Sequence, residues 1–507
     1  MTDKVPIRRL STGIPGLDAV LGGGLPEFSF NIVAGAPGAG KTTLVQQIMF
    51  TLARPDRRAL FFTVLGEPPL KMLRYQQQFE FFNIAEVNAS VRFVNLAKEA
   101  LEGGLDQVLR RIVQEVEAAS PAIVIVDSFR SVIEAAKRQN GGVHLQHFIQ
   151  DLGMRLTEWQ ATTFLVGEFQ LTETEDHPVF TVADGLVWLH QSLDRNSMVR
   201  KMQVMKMRGQ APIPGLHTFR ITNRGIHVFP RLILVPPERP PVDGEAETKR
   251  RQPRVSVGVT GLDEMLGGGI PSGQSVLVAG PSGSGKTVLA TQFIREGVRR
   301  GERGVIAIFE KRPSEYAQTS AIGLDRAVRD GQVGIIQTRP LDLSIDETQY
   351  ELTEAIQRLD ARRVVIDSLS GFELALAPTF REDFRESLYR LVAALTGMGV
   401  TVMMTAELED NYTHLRFSPH GTAFLTDAII VQRYLELEGQ LQRVMAVVKV
   451  RASAHSKDLR LFEISADGIT VGERVGDYEG LLTGSPHIVS SRRQPPRLRA
   501  RSRRSRS

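Results

Sequence analysis

Gly35-Ala36-Pro37-Gly38-Ala39-Gly40-Lys41-Thr42 and Gly280-Pro281-Ser282-Gly283-Ser284-Gly285-Lys286-Thr287 decide how this chain folds. Both satisfy G-x-x-x-x-G-K-[ST] in full. Each follows a short apolar run, Phe28 to Ala34 and Ser275 to Ala279, and opens a stretch of helical periodicity. After Lys286, for instance, Leu289, Phe293, Ile294 and Val298 recur at the spacing of one helix face. Strand, glycine-rich turn and helix form the context in which this pattern cradles phosphate. The glycines let backbone N–H groups converge on phosphate oxygens, and the helix N-terminus adds partial positive charge. Gly35, Gly38, Gly40 and Thr43, with Gly280, Gly283 and Gly285, are therefore read as binding ATP. Lys41 and Lys286 are expected to reach the β- and γ-phosphates, and Thr42 and Thr287 to ligate Mg²⁺.

Such a site needs a carboxylate at a strand end to hold the hydrated metal. Asp127 closes Ala122-Ile123-Val124-Ile125-Val126, and Asp367 closes Val364-Val365-Ile366. In a parallel sheet the carboxyl ends of the strands face the crevice that receives the ligand. Hydrolysis also calls for a group that orients or deprotonates the attacking water. Glu67, after Phe61-Phe62-Thr63-Val64, and Glu310, after Val305 to Phe309, are the candidates for that base. Glu168 and Glu407 each follow a later strand, where a carboxylate can sense the γ-phosphate through water. The bland alternatives are an Asp that starts a turn and loop acids that are simply solvated.

The two loops are one pair in a longer repeat. Gly13-Ile14-Pro15-Gly16-Leu17-Asp18 returns as Gly258-Val259-Thr260-Gly261-Leu262-Asp263, at the same offset of 245 as the loops. Asp127-Ser128 pairs with Asp367-Ser368, Glu168 with Glu407, and Lys206-Met207-Arg208 with Lys449-Val450-Arg451. That period is too long for a solenoid unit and marks a duplicated domain. Within each copy, short β-branched runs alternate with helical stretches, which predicts an α/β fold. The expected organisation is two tandem P-loop domains, residues 1–234 and 255–490, each a mostly parallel sheet flanked by helices. Between them, Val235-Pro236-Pro237-Glu238-Arg239-Pro240-Pro241 opens a linker over 235–254, because proline breaks helix and sheet ladders.

Composition narrows the functions. The 507 residues are 42% hydrophobic and 23% charged, the profile of a globular protein. No cysteine is present, which excludes disulfide scaffolds, thiolate metal sites and cysteine nucleophiles. There is no apolar leader and no run long enough to span a membrane, so the expected place is the cytoplasm, with no membrane partner. The net charge is +5, but residues 491–507 hold eight arginines and no acid. Subtracting them leaves −3 for residues 1–490, so the positive excess belongs to a short basic tail expected to be disordered.

The opening S-T-G-I-P-G-L-D-x-x-L-G-G-G-L-P, the phosphate loop, the strand-end Asp-Ser and the K-x-R segment, all present twice, resemble the KaiC family of RecA-like ATPases. The resemblance covers roughly Leu10 to Val489. It implies a homohexamer of two stacked rings, with ATP at subunit interfaces and cations supplied by the neighbouring subunit: Lys206 and Arg208 in the first ring, Lys449 and Arg451 in the second. It also exposes departures. The family's paired glutamates become Leu65-Gly66-Glu67 and Glu310-Lys311, and Arg451-Ala452 replaces the family's Arg-Gly. The Ser-Thr pair that KaiC autophosphorylates falls on Ala423-Phe424, neither of which accepts phosphate; Ser418, Thr422 and Thr426 lie nearby.

Three functions fit these residues. The first is a regulatory ATPase whose hexamer signals its nucleotide state to a protein partner as yet unknown. The second is a serine/threonine autokinase, against which Ala423-Phe424 counts. The third is a RecA-like DNA-dependent ATPase, since one fold hosts many activities. Single strands ask for basic grooves lined by stacking aromatics, yet Trp159 and Trp188 stand apart from basic residues and read as core or interface. Only the tail leaves a nucleic-acid or acidic partner open.

Overall fold

A computed structural model describes residues 7–64, 69–100, 104–132, 151–152, 154–155, 158, 160–170, 178–194, 197–231, 253–309, 324–337, 344–376, 384–408, 425–437, 439–451, 453–476, 478–479 and 487–488. The chain forms two compact units whose main boundary falls between Val235 and Pro236.

In the first unit, a short ladder pairs β1 (Arg9–Leu10) with β2 (Leu25–Pro26). Nine strands then build one sheet: β3 (Phe30–Gly35), β4 (Ala59–Thr63), β5 (Val91–Asn95), β6 (Ile123–Asp127), β7 (Thr162–Glu168), β8 (Gly185–Asp194), β9 (Ser197–Met207), β10 (Leu216–Thr222) and β11 (Gly225–Phe229). Their order is β11-β10-β9-β8-β3-β7-β6-β4-β5. The six from β8 to β5 run parallel, and β9, β10 and β11 extend the sheet as an antiparallel meander. The central strand β3 is buried along its whole length, as its apolar run requires of a parallel strand covered on both faces. Ile32 and Ala34 pack with Leu60, Phe62, Val124 and Leu165 beneath Val108, Ile112 and Val116 of the helix Gly104–Ala119. Val33 faces the other way, among Phe61, Ile125 and Phe164 beneath Leu44, Val45 and Ile48 of the helix Lys41–Leu52. Each of these side chains larger than alanine contributes on the order of 1.5–3 kcal/mol by leaving water. Trp188 is a core residue of the first face, whereas Trp159 lies outside the described residues.

The second unit repeats this plan. The ladder is β12 (Arg254–Val255) with β13 (Ile270–Pro271). The sheet holds β14 (Ser275–Gly280), β15 (Arg303–Ile308), β16 (Val333–Gln337), β17 (Ala361–Asp367), β18 (Thr401–Glu407), β19 (Ala428–Leu437), β20 (Gln440–Val450), β21 (Arg460–Ser465) and β22 (Gly468–Arg474). Its order, β22-β21-β20-β19-β14-β18-β17-β15-β16, is that of the first sheet strand for strand. The expected α/β class is present, and the apolar runs that precede both phosphate loops, both aspartates and both candidate bases are all strands, with ends shifted by a few residues. Phe28, for example, stands ahead of its strand with φ 63, a left-handed turn that a strand cannot include.

Candidate functional site: two phosphate loops

In a parallel sheet all chain reversals after the strands fall on one edge, and both phosphate loops sit there. Gly35 ends β3 and Gly280 ends β14; the helices Lys41–Leu52 and Lys286–Arg299 begin at the loop lysines. Gly40 and Gly285 hold φ 99 and 102, the left-handed turn into each helix. A Cβ on Gly40 would lie 2.6 Å from Ile221 Cδ1 of β10, and one on Gly285 would lie 2.6 Å from Ile464 Cδ1 of β21. The left-handed conformation demands glycine at both positions, and any Cβ would also displace the end of an isoleucine side chain. The antiparallel meander thus backs the loop.

The lysines occupy their own loops. Lys41 Nζ donates to Gly35 O (3.0 Å) and Ala36 O (2.8 Å), and Lys286 Nζ to Gly280 O (2.8 Å) and Pro281 O (2.7 Å). Burial pushes the Lys41 ammonium below its ordinary pKa, against the opposing pull of Glu168 and Asp127. Thr42 Oγ1 donates to Asp127 Oδ2 at 2.6 Å, and Thr287 Oγ1 to Asp367 Oδ2 at 2.9 Å. A hydroxyl and a carboxylate side by side at a strand end fit a hydrated Mg²⁺, which is usually held by one or two protein oxygens plus phosphates and water. No cluster of three His, Cys, Asp or Glu able to hold a metal occurs among the described residues. Burial pushes the Asp127 carboxyl up to about 6, opposed by the Thr42 hydrogen bond and Lys41 and aided by Glu168, so this group gains from a nearby cation. The peptide after each of these aspartates is cis.

Glu168 pairs with Gly35 across β3 and β7, and Glu407 pairs with Gly280 across β14 and β18, so both reach the loop edge. Glu67 and Glu310 lie outside the described residues, as do Ser418, Thr422, Ala423 and Phe424. The strands that precede the two glutamates end beside the strand-end aspartates: Thr63 pairs with Asp127 and Ile308 with Asp367.

The four cations do not join these sites within their own domains. Lys206 pairs with Leu186 of β8, which pairs with Ile32 of β3, three residues before Gly35. At about 3.3 Å per residue and 4.8 Å per strand, Lys206 starts roughly 14 Å from its own loop and on the side of the opposite edge. Its ammonium turns away, to Thr181 O (3.1 Å) and Phe180 O (3.4 Å), and Arg208 pairs with Asp184 Oδ1 at 3.1 Å. Lys449 likewise donates to Thr426 O at 2.6 Å, and Arg451 pairs with Asp427 Oδ1 at 3.1 Å. Burial first, and then the neighbouring arginine, lowers both lysine pKa values.

An ATPase family model described as KaiC matches residues 10–233 and again 255–476, most of the chain. The chain belongs to the KaiC family of ATPases. Among curated relatives, the circadian clock oscillator protein KaiC of Picosynechococcus sp. is 26% identical over 499 residues, covering 96% of this chain and 93% of that protein. The circadian clock protein KaiC3 of Synechocystis sp. is 26% identical over 497 residues, 95% of each chain. The family therefore spans both phosphate loops and both strand-end aspartates.

Three contacts at the KaiC-type sites escaped the sequence reading. Thr405 Oγ1 donates to the second oxygen of Asp367, Oδ1; the matching position of β7 is Val166. Ser284 Oγ donates to Gln432 Oε1 at 3.2 Å, tying the second loop to β19, where the first loop has Ala39. Asp184 and Asp427 each accept from the first residue of the central strand, Phe30 N and Ser275 N, both at 3.0 Å. A hydroxyl two residues before Glu407 was the available signal for the first; the other two join residues far apart in sequence.

Proposed function

We propose that each domain binds Mg²⁺·ATP at its phosphate loop and hydrolyses it, and that the chain works as a double-ring homohexamer signalling its nucleotide state to a protein partner in the cytoplasm. The domains are residues 1–234 and 255–490, joined by the 235–254 linker and followed by the basic tail. The observation that carries this reading is the split site: loop lysine, threonine and aspartate stand at one edge of each sheet, while Lys206, Arg208, Lys449 and Arg451 stand toward the other. A cation that cannot reach its own loop serves a neighbour's, where it offsets the charge of the transferring phosphoryl group.

Bound Mg²⁺·ATP supplies the scissile γ-phosphoryl bond and the cation that polarises it. Lys41 and Lys286 exchange their loop carbonyls for phosphate oxygens. Thr42 and Thr287 place a hydroxyl, and Asp127 and Asp367 a carboxylate, on the metal side. Glu67 and Glu310 take the proton of the attacking water. The test is phosphate release measured across a dilution series with sedimentation in parallel. Turnover per chain is expected to collapse as the assembly dissociates; full turnover in isolated chains would overturn the split-site reading. The autokinase alternative loses one of its acceptors, since Thr426 is fully buried. Radiolabel from γ-labelled ATP surviving denaturation would restore it.

A further inference from the structure

The helix that starts at each loop lysine ends against the short ladder of its domain, and a cleft opens there. In the first domain its volume is about 390 Å³, in the second about 450 Å³. The first helix has 12 residues, so at 1.5 Å per residue its cleft lies roughly 18 Å from the phosphate loop. The two clefts answer to each other in the repeat: Ser11 and Ser256, and Thr51 and Glu296, line them at the common offset of 245. Arg54 and Arg299 share that offset too, but Arg299 ends its helix whereas Arg54 lies two residues past the end of the shorter first helix.

Their charge is inverted. Arg8, Arg9, Arg54 and Arg57, with a single acid, Asp56, line the first; Asp263, Glu264 and Glu296, with Arg299 and Arg300, line the second. The second cleft carries its own anion. The buried Glu296 carboxylate accepts from Arg299 Nε (2.7 Å) and Nη2 (2.8 Å) and from Arg300 Nε (2.5 Å). These guanidinium hydrogen bonds, Arg299 foremost, hold it down to about 2. The first cleft has Thr51 in that position, its hydroxyl turned back onto Gln47 O at 2.8 Å. Arg54 donates to Ala53 O at 2.6 Å, and no carboxylate among the described residues pairs with it. Among the described residues, Glu27 is the carboxylate that answers Arg57 (3.2 Å) and Arg8 (3.6 Å).

We propose that the first-domain cleft binds a small phosphorylated molecule, whose oxyanion supplies to Arg54 the kind of acceptor that the Glu296 carboxylate supplies to Arg299. Guanidinium forks match phosphate oxygens in pairs. Arg9 is turned onto Gly22 O at 2.8 Å, but Arg54 on one side and Arg8 and Arg57, which share Glu27, on the other favour a ligand with more than one phosphate. The cleft has room for a compact bisphosphate.

The full-length protein, its nucleotide sites saturated with Mg²⁺·ADP, is titrated with fructose 1,6-bisphosphate by calorimetry. One saturable site per chain is expected, weakening with salt. Arg54→Ala should weaken it by about tenfold or more, the scale of a charge-assisted hydrogen bond. Thr51→Glu should do the same without removing a single arginine, by supplying the second domain's internal carboxylate. The residue fits there, because Glu296 stands beside Gly258 as Thr51 stands beside Gly13. Arg299→Ala should leave binding unchanged. No saturable binding, or equal affinity in the wild type, Arg54→Ala and Thr51→Glu, would overturn the proposal. Capture by the Arg-rich tail would give the second result, since the tail is the same in all three. Arg54 is exposed, so its variant decides the matter even if Thr51→Glu folds poorly.

Discussion

Asp127 and Asp367 end equivalent strands and accept the same threonine hydrogen bond, but only Asp367 has a second hydroxyl, that of Thr405, on its other oxygen. Val166 stands in the first domain's place for it, and there the buried carboxyl is pushed up to about 6. The loops differ in the same sense: Ser284 is tied to Gln432 where the first loop has apolar Ala39. Duplication has kept the strand order and the phosphate-binding atoms while the contacts behind them diverged. In the second domain both carboxylate oxygens are held by hydroxyls, so the group is already oriented for the proposed metal; in the first, one oxygen lacks that hydroxyl, and the proposed metal would do more to orient it.

The loop lysines offer the strongest test that the halves are equal at the level of binding. Lys41→Ala and Lys286→Ala should each remove one of two nucleotides per chain, with affinity at the altered loop down about 100-fold or more, the scale of losing a charged phosphate contact in a desolvated site. If either variant keeps both nucleotides, that loop is not a site. Glu67→Gln and Glu310→Gln should keep both nucleotides yet slow hydrolysis in their own domain by about 100-fold, the low end for general-base removal. A rate unchanged by either substitution would unseat the assignment of both bases.

A smaller effect probes the divergence itself. Thr405→Val should raise the Mg²⁺ concentration that the second domain needs by about tenfold, and Val166→Thr should lower that of the first, each read as nucleotide binding against Mg²⁺ with the other loop disabled. Equal midpoints in the two domains would erase the distinction drawn here.

The smallest effect is on stability. Asp127 has a folded-state pKa of about 6 against an ordinary 3.8, so the protonated form is favoured in the fold. Its contribution to stability is fully present below the unfolded value and is lost as pH rises through 6. Without nucleotide, Asp127→Asn should therefore stabilise the first domain at pH 7–8 by about 1–3 kcal/mol, the scale of such a shift, and flatten its melting profile between pH 4 and 6. An unchanged profile would mean that the carboxyl is not desolvated. Asp367→Asn serves as the comparison.

Much of this was legible in the chain. Repeated Gly-x-x-x-x-Gly-Lys-Thr segments, the β-branched runs before them and an Asp closing Ile123 to Val126 all state local requirements, so the sheet, both loops and both strand-end carboxylates could be read directly. Lys206 and Arg208 could be named only through family resemblance, because nothing local says that a charged strand faces away from its own loop. Gln432 and Asp184 meet partners 148 and 154 positions away, and such partners become visible only once register is known; Thr405 was in view beside Glu407, but its partner Asp367 was not.

The contact of Ile221 with Gly40 carries a consequence for synthesis. Ile221 stands 181 positions after Gly40. At roughly 5–20 residues per second, the ribosome needs roughly 10–35 s to move from one to the other. Throughout that interval the nascent chain already displays its complete nucleotide motif, but the strand that backs it does not yet exist. The first phosphate loop therefore gains its backing from β10 only after that interval, long after its own motif has been made.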